Sequence, residues 1–358
     1  MTSNHEQQWQ TELTEDARTT SPEIALSRRS VLKTMAIGAS ASVALKLNAC
    51  VDAQQSGSDL SSEDQQKVIT PPLQWPAGTT VEKDTSISLP ASVPQKTTQK
   101  IVAGSHNNFY EFLPGRGGFV YPYTDDFKVK PWTIEVTGLC NKPQTFDLDD
   151  LFKLGLEERL YTFRCVERWA MNVPWVGSPL SKLLAKVEPK SDAKYVAFVS
   201  ADRPEQMPGI RAGGGGYQWP YHEALRMDEA MNELSMLVTG MYGQPLLKQN
   251  GSPVRIIVPW KYGYKNPKSI VRIELTEKQP KTFWSSGPYK SEYGFLSNVN
   301  PNIPHPRWSQ SMSYWLGSTP RETFPTPIFN GYGKYVAHLY PDEPTTPQKP
   351  LTRSETAR

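Results

Sequence analysis

The chain has no long apolar run. Its most hydrophobic stretch, Met35 to Leu47, is short and broken by Lys46, whereas a bilayer-spanning helix needs about 20 apolar residues. That stretch reads as the apolar part of a targeting segment, and nothing after it is long enough to span. Cysteine is scarce, at three residues, so no disulfide framework can carry the fold. Cys-x-x-Cys, His-Glu-x-x-His and Gly-x-Ser-x-Gly are all missing, which removes support for a zinc site, a c-type haem attachment and a hydrolase nucleophile elbow. His106, His222 and His305 are scattered, and each reads as a hydrogen-bonded structural group. A strong charge is lacking too: the formal net charge of +3 gives no case for nucleic acid or for a membrane surface.

What is present starts with Ser27-Arg28-Arg29-Ser30-Val31-Leu32-Lys33 ahead of the apolar stretch. Paired arginines in that setting are a twin-arginine export address, read by a translocon that carries folded proteins. The expectation is a periplasmic protein that receives a redox cofactor before export. Processing after Val51-Asp52-Ala53 fits small residues at a cleavage site. Leu47-Asn48-Ala49-Cys50 also looks like a lipobox, with Asn48 an imperfect fit, which would lipidate Cys50. The expected organisation is a signal region over 1–53 and a Ser-, Pro- and Gln-rich flexible tether over 54–100. A catalytic domain over 101–340 and a polar tail over 341–358 follow.

Within the domain, Trp132 to Gly138 alternates apolar and polar residues at the strand period. Thr145 to Lys153 enters a short helix with Asp147 or Asp149 as cap. Tyr195 to Ser200, Ser235 to Thr239, Val254 to Val258 and Ser269 to Leu275 are further strands, and Tyr221 to Glu233 is the clearest amphipathic helix. Short strands, few helices and 32 prolines predict an α+β domain with long loops.

Chemistry concentrates around Tyr161-Thr-Phe-Arg-Cys-Val-Glu-Arg-Trp169. Cys165 lies between Arg164 and Arg168, and cations favour the thiolate that binds soft metals or attacks electrophiles. Neighbouring side chains on a strand face opposite ways, so a disulfide to Cys140 or an inert thiol stays open. A metal site with one cysteine and no nearby histidine must take its other ligands from a cofactor. Arg255, Lys265 and Lys268 flank one strand and could converge on a phosphate, or simply form a solvated basic face. Ala212 to Tyr217, with its four glycines, lacks a phosphate-loop ending and reads as a flexible loop.

Several longer segments, in the same order, resemble one family. They are His106-Asn-Asn-Phe-Tyr-Glu-Phe112, Arg164-Cys-Val-Glu-Arg-Trp169, Glu205-Gln-Met-Pro-Gly209, Asp228-Glu-Ala-Met231, Asn250 to Lys268, Asn298-Val-Asn-Pro301 and His305-Pro-Arg-Trp-Ser-Gln310. The family is that of the protein-methionine-sulfoxide reductase catalytic subunits, molybdoenzymes with a single mixed-sheet, sulfite-oxidase-type domain. The resemblance implies that Cys165 gives a thiolate to molybdenum carried on molybdopterin. It implies that Asn107, Tyr110, Glu111, Asn250 and Arg255 hold the pterin and its phosphate. Ser200 replaces the family's usual Thr, keeping the hydroxyl, and Asn266-Pro267-Lys268 replaces its Gly-Ile-Lys. Pro267 removes a backbone donor there. The resemblance further implies a membrane haem subunit, MsrQ, as electron donor and oxidised periplasmic proteins as substrates. A sulfite dehydrogenase, with Arg164 and Arg168 as an anion pocket, and an exported ligand-binding lipoprotein are the alternatives.

Overall fold

The computed structural model describes residues 60–114, 119–213, 216–288, 290 and 292–349. The twin-arginine stretch, the lipobox at Cys50, the end of the tail and part of the glycine-rich loop lie outside them. In chain order the strands are β1 (Val81–Lys83), β2 (Thr133–Gly138), β3 (Gln144–Asp147), β4 (Leu156–Arg164), β5 (Trp169–Pro179), β6 (Tyr195–Ser200) and β7 (His222–Arg226). They continue as β8 (Met236–Met241), β9 (Gln244–Pro245), β10 (Arg255–Ile257), β11 (Ile270–Thr276), β12 (Met312–Trp315) and β13 (Thr323–Pro325). Helices are short: α1 (Ser62–Ile69), α2 (Lys100–Ser105), α3 (Leu148–Phe152), α4 (Leu180–Val187), α5 (Pro208–Arg211), α6 (Met227–Ala230), α7 (Phe283–Ser286) and α8 (Gly333–Val336). No described helix is long and apolar enough to cross a membrane.

Two mixed sheets result, in keeping with the expected α+β class. One runs β3-β2-β11-β6-β7, with β11 parallel to β2 and the other pairs antiparallel. The other is centred on the long strand β5, which pairs with β4 along one edge. On its other edge β5 meets β12 at its start and β8 at its end. The local reasons are legible. In β2, Ile134 and Val136 are buried while Thr133 and Glu135 face out, the period of a half-buried strand. In α4, Leu180, Leu183, Leu184 and Val187 form the buried stripe. The Asp147 carboxylate accepts from the Asp150 amide at 2.9 Å and caps α3.

Two expectations fail. Residues 60–100 are not a loose tether. Ser61 caps α1, β1 pairs in parallel with β4, and Asp84 meets Arg159 at 2.8 Å. Asn172 donates to the Pro94 and Lys96 carbonyls at 2.7 and 2.9 Å. The segment is too poor in apolar residues to fold alone, and it is ordered by partners that the domain supplies. The second correction concerns Tyr221 to Glu233, which forms the edge strand β7 and then the single turn α6. Its apolar spacing suits either period, and pairing with β6 decides between them. Met231, which a helix would bury, is 43% exposed. The polar tail is anchored at its start, because Asn298 and Asn300 each donate to Glu343 at 2.8 Å.

Candidate active site

Strands β4 and β5 form a hairpin, and its tip is the Cys165–Arg168 turn. The turn closes by Cys165 N–H donating to Trp169 O at 2.9 Å and Arg168 N–H donating to Cys165 O at 3.0 Å. Arg168 closes it at φ 80°, a left-handed backbone that a non-glycine residue adopts at a cost of about 1 kcal/mol or more. A rigid hairpin thus presents one thiol at its end. Cys165 Sγ accepts from Glu167 N–H at 3.4 Å, and Asn108 Nδ2 lies 3.7 Å away while donating to Glu167 at 3.0 Å. Burial, and then the Glu167 charge, push this thiol's pKa up, against the pull of Arg164 and Lys268. A metal cation in place of the proton reverses that balance. Among the described residues no group of three His, Cys, Asp or Glu could hold an ion. Cys140 and Cys165 are both free thiols, so the disulfide alternative falls.

The thiol opens onto a pocket of ≈ 80 Å³. Of the residues expected at the site, Asn107, Tyr110, Glu111, Asn250, Arg255 and Lys268 line it together with Cys165. The stretch after α2 delivers the first three, the turn before β10 delivers Asn250, and Arg255 opens β10. An isolated β-bridge sets Lys268 against Arg255. Gly251 sits at φ 99° with its absent Cβ only 2.9 Å from Lys268, so the cradle closes there only around glycine. Gly209 explains the Glu205 to Gly209 motif: a Cβ there would lie 1.9 Å from the Tyr110 carbonyl oxygen. Gly209→Ala therefore displaces the wall carrying Tyr110 and Glu111. The expected result is stable, folded protein that retains less than half the wild-type cofactor, read by metal analysis beside circular dichroism.

Other expected residues are elsewhere. Lys265 is buried in an ion pair with Glu223 at 2.8 Å and is absent from the pocket lining, a correction to its expected convergence on a phosphate. Asn266 spends its side chain on the Val258 amide and on the Tyr262 and Gly263 carbonyls, while its own carbonyl takes Arg255 Nη2 at 3.4 Å. It orients Arg255 from behind. The Pro267 carbonyl accepts from Ile256 N–H at 3.0 Å. Ser200 ends β6, and its buried hydroxyl has no partner among the described residues. None of these three lines the pocket. Residue-by-residue reading missed the aromatic part of the pocket wall, Trp169, Tyr264, Trp284 and Tyr293, and His106, packed edge-on to Trp169 at 5.0 Å. Trp169 and His106 stand inside motifs already singled out, whereas Trp284 and Tyr293 carry no sequence signal of their own.

Comparison with known proteins gives the family. The family described as "Oxidoreductase molybdopterin binding domain" matches residues 121–284. The protein-methionine-sulfoxide reductase catalytic subunit MsrP of Burkholderia mallei (strain ATCC 23344) is 48% identical over 259 residues, covering 69% of this chain and 75% of that protein. This chain belongs to the MsrP family. It is a molybdopterin-dependent oxidoreductase. Among solved structures, the sulfane dehydrogenase SoxCD from Paracoccus pantotrophus aligns with a TM-score of 0.40 and 19% identity, over 53% of this chain and about half, 48%, of that one.

The residues present fit the family's cofactor. Asn107 Oδ1 and Asn250 Oδ1 are buried acceptors without a partner among the described residues, while each amide nitrogen is spent on a backbone carbonyl of α2. Buried acceptors left open are costly unless a ligand donates to them, and a pterin ring offers N–H groups. Arg255 Nε is likewise open, and Arg255 bonds only to the Asn250 and Asn266 carbonyls, with no carboxylate. Burial without an acidic partner pulls its pKa below the ordinary guanidinium value. Burial also lowers Lys268, to about 8, against the nearby Glu111 carboxylate. A phosphate supplies the missing counter-charge for two such cations.

Proposed function

We propose that this protein reduces methionine sulfoxide in oxidised proteins to methionine, in the periplasm, with electrons from a membrane haem subunit of the MsrQ kind. The observation that carries the substrate reading is the wall of the pocket. Trp169, Tyr264, Trp284 and Tyr293 line the same pocket as Cys165 and give it aromatic surface, which suits a thioether and its methyl group. Neither Arg164 nor Arg168 lines the pocket: Arg164 is bonded to Ser313 and Gln310, and Arg168 Nε donates to the Met312 carbonyl. The anion pocket that a sulfite dehydrogenase needs is therefore not formed by these two residues.

Cys165 would hold molybdenum through its thiolate, and Asn107, Asn250, Arg255 and Lys268 would hold the molybdopterin; the bound group would supply two-electron oxygen-atom exchange with a sulfoxide. Two electrons and two protons complete the balance, giving a thioether and water. Burial and then the Glu167 charge keep the Tyr110 phenol protonated, so it stays a hydrogen-bond donor beside the thiol. The aromatic wall would exclude water around the substrate side chain.

Periplasmic location rests on the Ser27 to Lys33 address, and the need for an outside donor rests on the missing haem-attachment motif. The deciding experiment measures molybdenum per chain together with turnover of a sulfoxide-containing protein and of sulfite. A ratio near one with faster sulfoxide turnover is expected. Faster sulfite turnover would install the sulfite dehydrogenase instead, and a metal-free protein from molybdate-replete cells would leave the binding lipoprotein.

A further inference from the structure

Two distant motifs interlock behind the Cys165 turn. The Val166 carbonyl oxygen accepts two hydrogen bonds, from Trp308 Nε1 at 2.9 Å and from Gln310 Nε2 at 2.7 Å. Gln310 is fully buried, and its Oε1 accepts from Arg164 Nη2 at 2.9 Å. Arg164 Nη1 in turn donates to the Cys165 carbonyl. Both carbonyls that follow the thiol are thus held by side chains fixed from elsewhere. Trp308 is itself fixed, stacked on His305 at 3.8 Å between ring centres. The other end of the Val166–Glu167 peptide is the Glu167 N–H, which points at Cys165 Sγ from 3.4 Å. A peptide unit is rigid and planar, so clamping its oxygen aims its N–H.

We propose that Trp308 and Gln310 are positioning residues that aim the Glu167 amide at Cys165 Sγ and thereby set the reduction potential of the bound metal. The inference rests on the reading of Cys165 as the metal's protein ligand. A thiolate that accepts an N–H donates less electron density to its metal, so the reduced metal is favoured and the potential is raised. Arg164, read from sequence as a cation for the thiolate, acts here through geometry, holding Gln310 and the Cys165 carbonyl. The arrangement joins the Arg164 to Trp169 and His305 to Gln310 motifs at the Val166 carbonyl.

The test uses Trp308→Phe, which keeps a ring and deletes the donor, with Gln310→Met, and the double variant. The first readout is the Mo(V)/Mo(IV) midpoint potential from a titration followed by electron paramagnetic resonance on metal-loaded protein. The double variant should shift the equilibrium toward the oxidised form by about tenfold, a fall of ~59 mV for one electron, with each single variant giving part of it. An unchanged potential in metal-loaded double variant overturns the proposal. The second readout needs no metal: maleimide labelling of Cys165 in cofactor-free protein lacking the other two cysteines (Cys50→Ser, Cys140→Ser). Release of the turn should speed labelling severalfold, and an unchanged rate in a variant that fails to load metal overturns the proposal equally. If the resonance signal of the parent protein is unaltered by Cys165→Ser, the ligand reading itself is wrong. The labelling rate then still reports whether the clamp holds the turn.

Discussion

Replacing Cys165 by Ser should cost more than about 100-fold in turnover, because loss of a metal's outer hydrogen-bond partners alone costs 10–100-fold and the proposed function makes Cys165 the protein's own ligand. The hairpin tip makes the interpretation clean. Cys165 is buried, and the β4–β5 ladder holds both sides of its turn, so an oxygen in place of sulfur changes the ligand and leaves the scaffold. Cys140 is the matched control. It is equally buried, and it sits beside β2 in a bridge to Pro189, away from the pocket lining. Cys140→Ser should keep turnover within about twofold, because the position lies outside the pocket lining and the swap keeps the side chain's size. Sulfoxide turnover and molybdenum content of both variants, measured side by side, check the pair. Equal loss in both would mean that the two thiols act together, which the free-thiol geometry denies.

How much of this was readable from the chain depends on the kind of signal. Strands whose burial alternates, such as β2, and the capped turn α3 announce themselves, one by its buried face and the other by Asp147, whereas α4 goes unread despite its apolar stripe. The Tyr221 to Glu233 stretch misleads, because Ala224, Leu225, Met227 and Ala230 satisfy two periods and only the neighbouring strand β6 selects one. Residues 60–100 mislead for a different reason. Their order comes from Asn172, Arg159 and Gln249, side chains far away in sequence, so no local composition reveals it. At the site, Cys165, Asn250, Arg255 and Lys268 stand out through motif and resemblance. Lys265 stands out equally and is a structural cation, since its partner Glu223 lies on a strand whose register the sequence does not display. The aromatic wall is hidden because Trp284 reaches the pocket from the single turn α7 and Tyr293 from a loop, segments too short or irregular for spacing to carry periodic information.

Cations that look alike in sequence therefore separate by partner, and Arg255 and Lys261 make the sharpest contrast. Both are buried, at 3% and 1% exposure. Lys261 Nζ pairs with Glu229 at 2.8 Å and also donates to the Leu296 carbonyl and Asn298. Tyr340 donates to the same Glu229 oxygen at 2.6 Å and accepts from Trp260 Nε1. Lys261→Met strands the Glu229 carboxylate in the core, and breaking a buried pair from one side costs about 3–5 kcal/mol. Urea unfolding of the cofactor-free protein should show a loss of that size. Arg255→Met removes a charge that has no carboxylate, forfeiting two bonds to carbonyls but also the desolvation of an unmatched cation. Its cofactor-free stability should change by less than about 1.5 kcal/mol, the two terms opposing each other. Cofactor retention should instead fall by about 10- to 100-fold, the worth of a charge-assisted hydrogen bond of ~1.5–3 kcal/mol to a phosphate. Retention after dialysis, by metal analysis, reads the second quantity independently of the first. A protein in which Arg255→Met unfolds as readily as Lys261→Met, and Lys261→Met sheds cofactor as readily as Arg255→Met, would show that the open Arg255 Nε is not waiting for an anion.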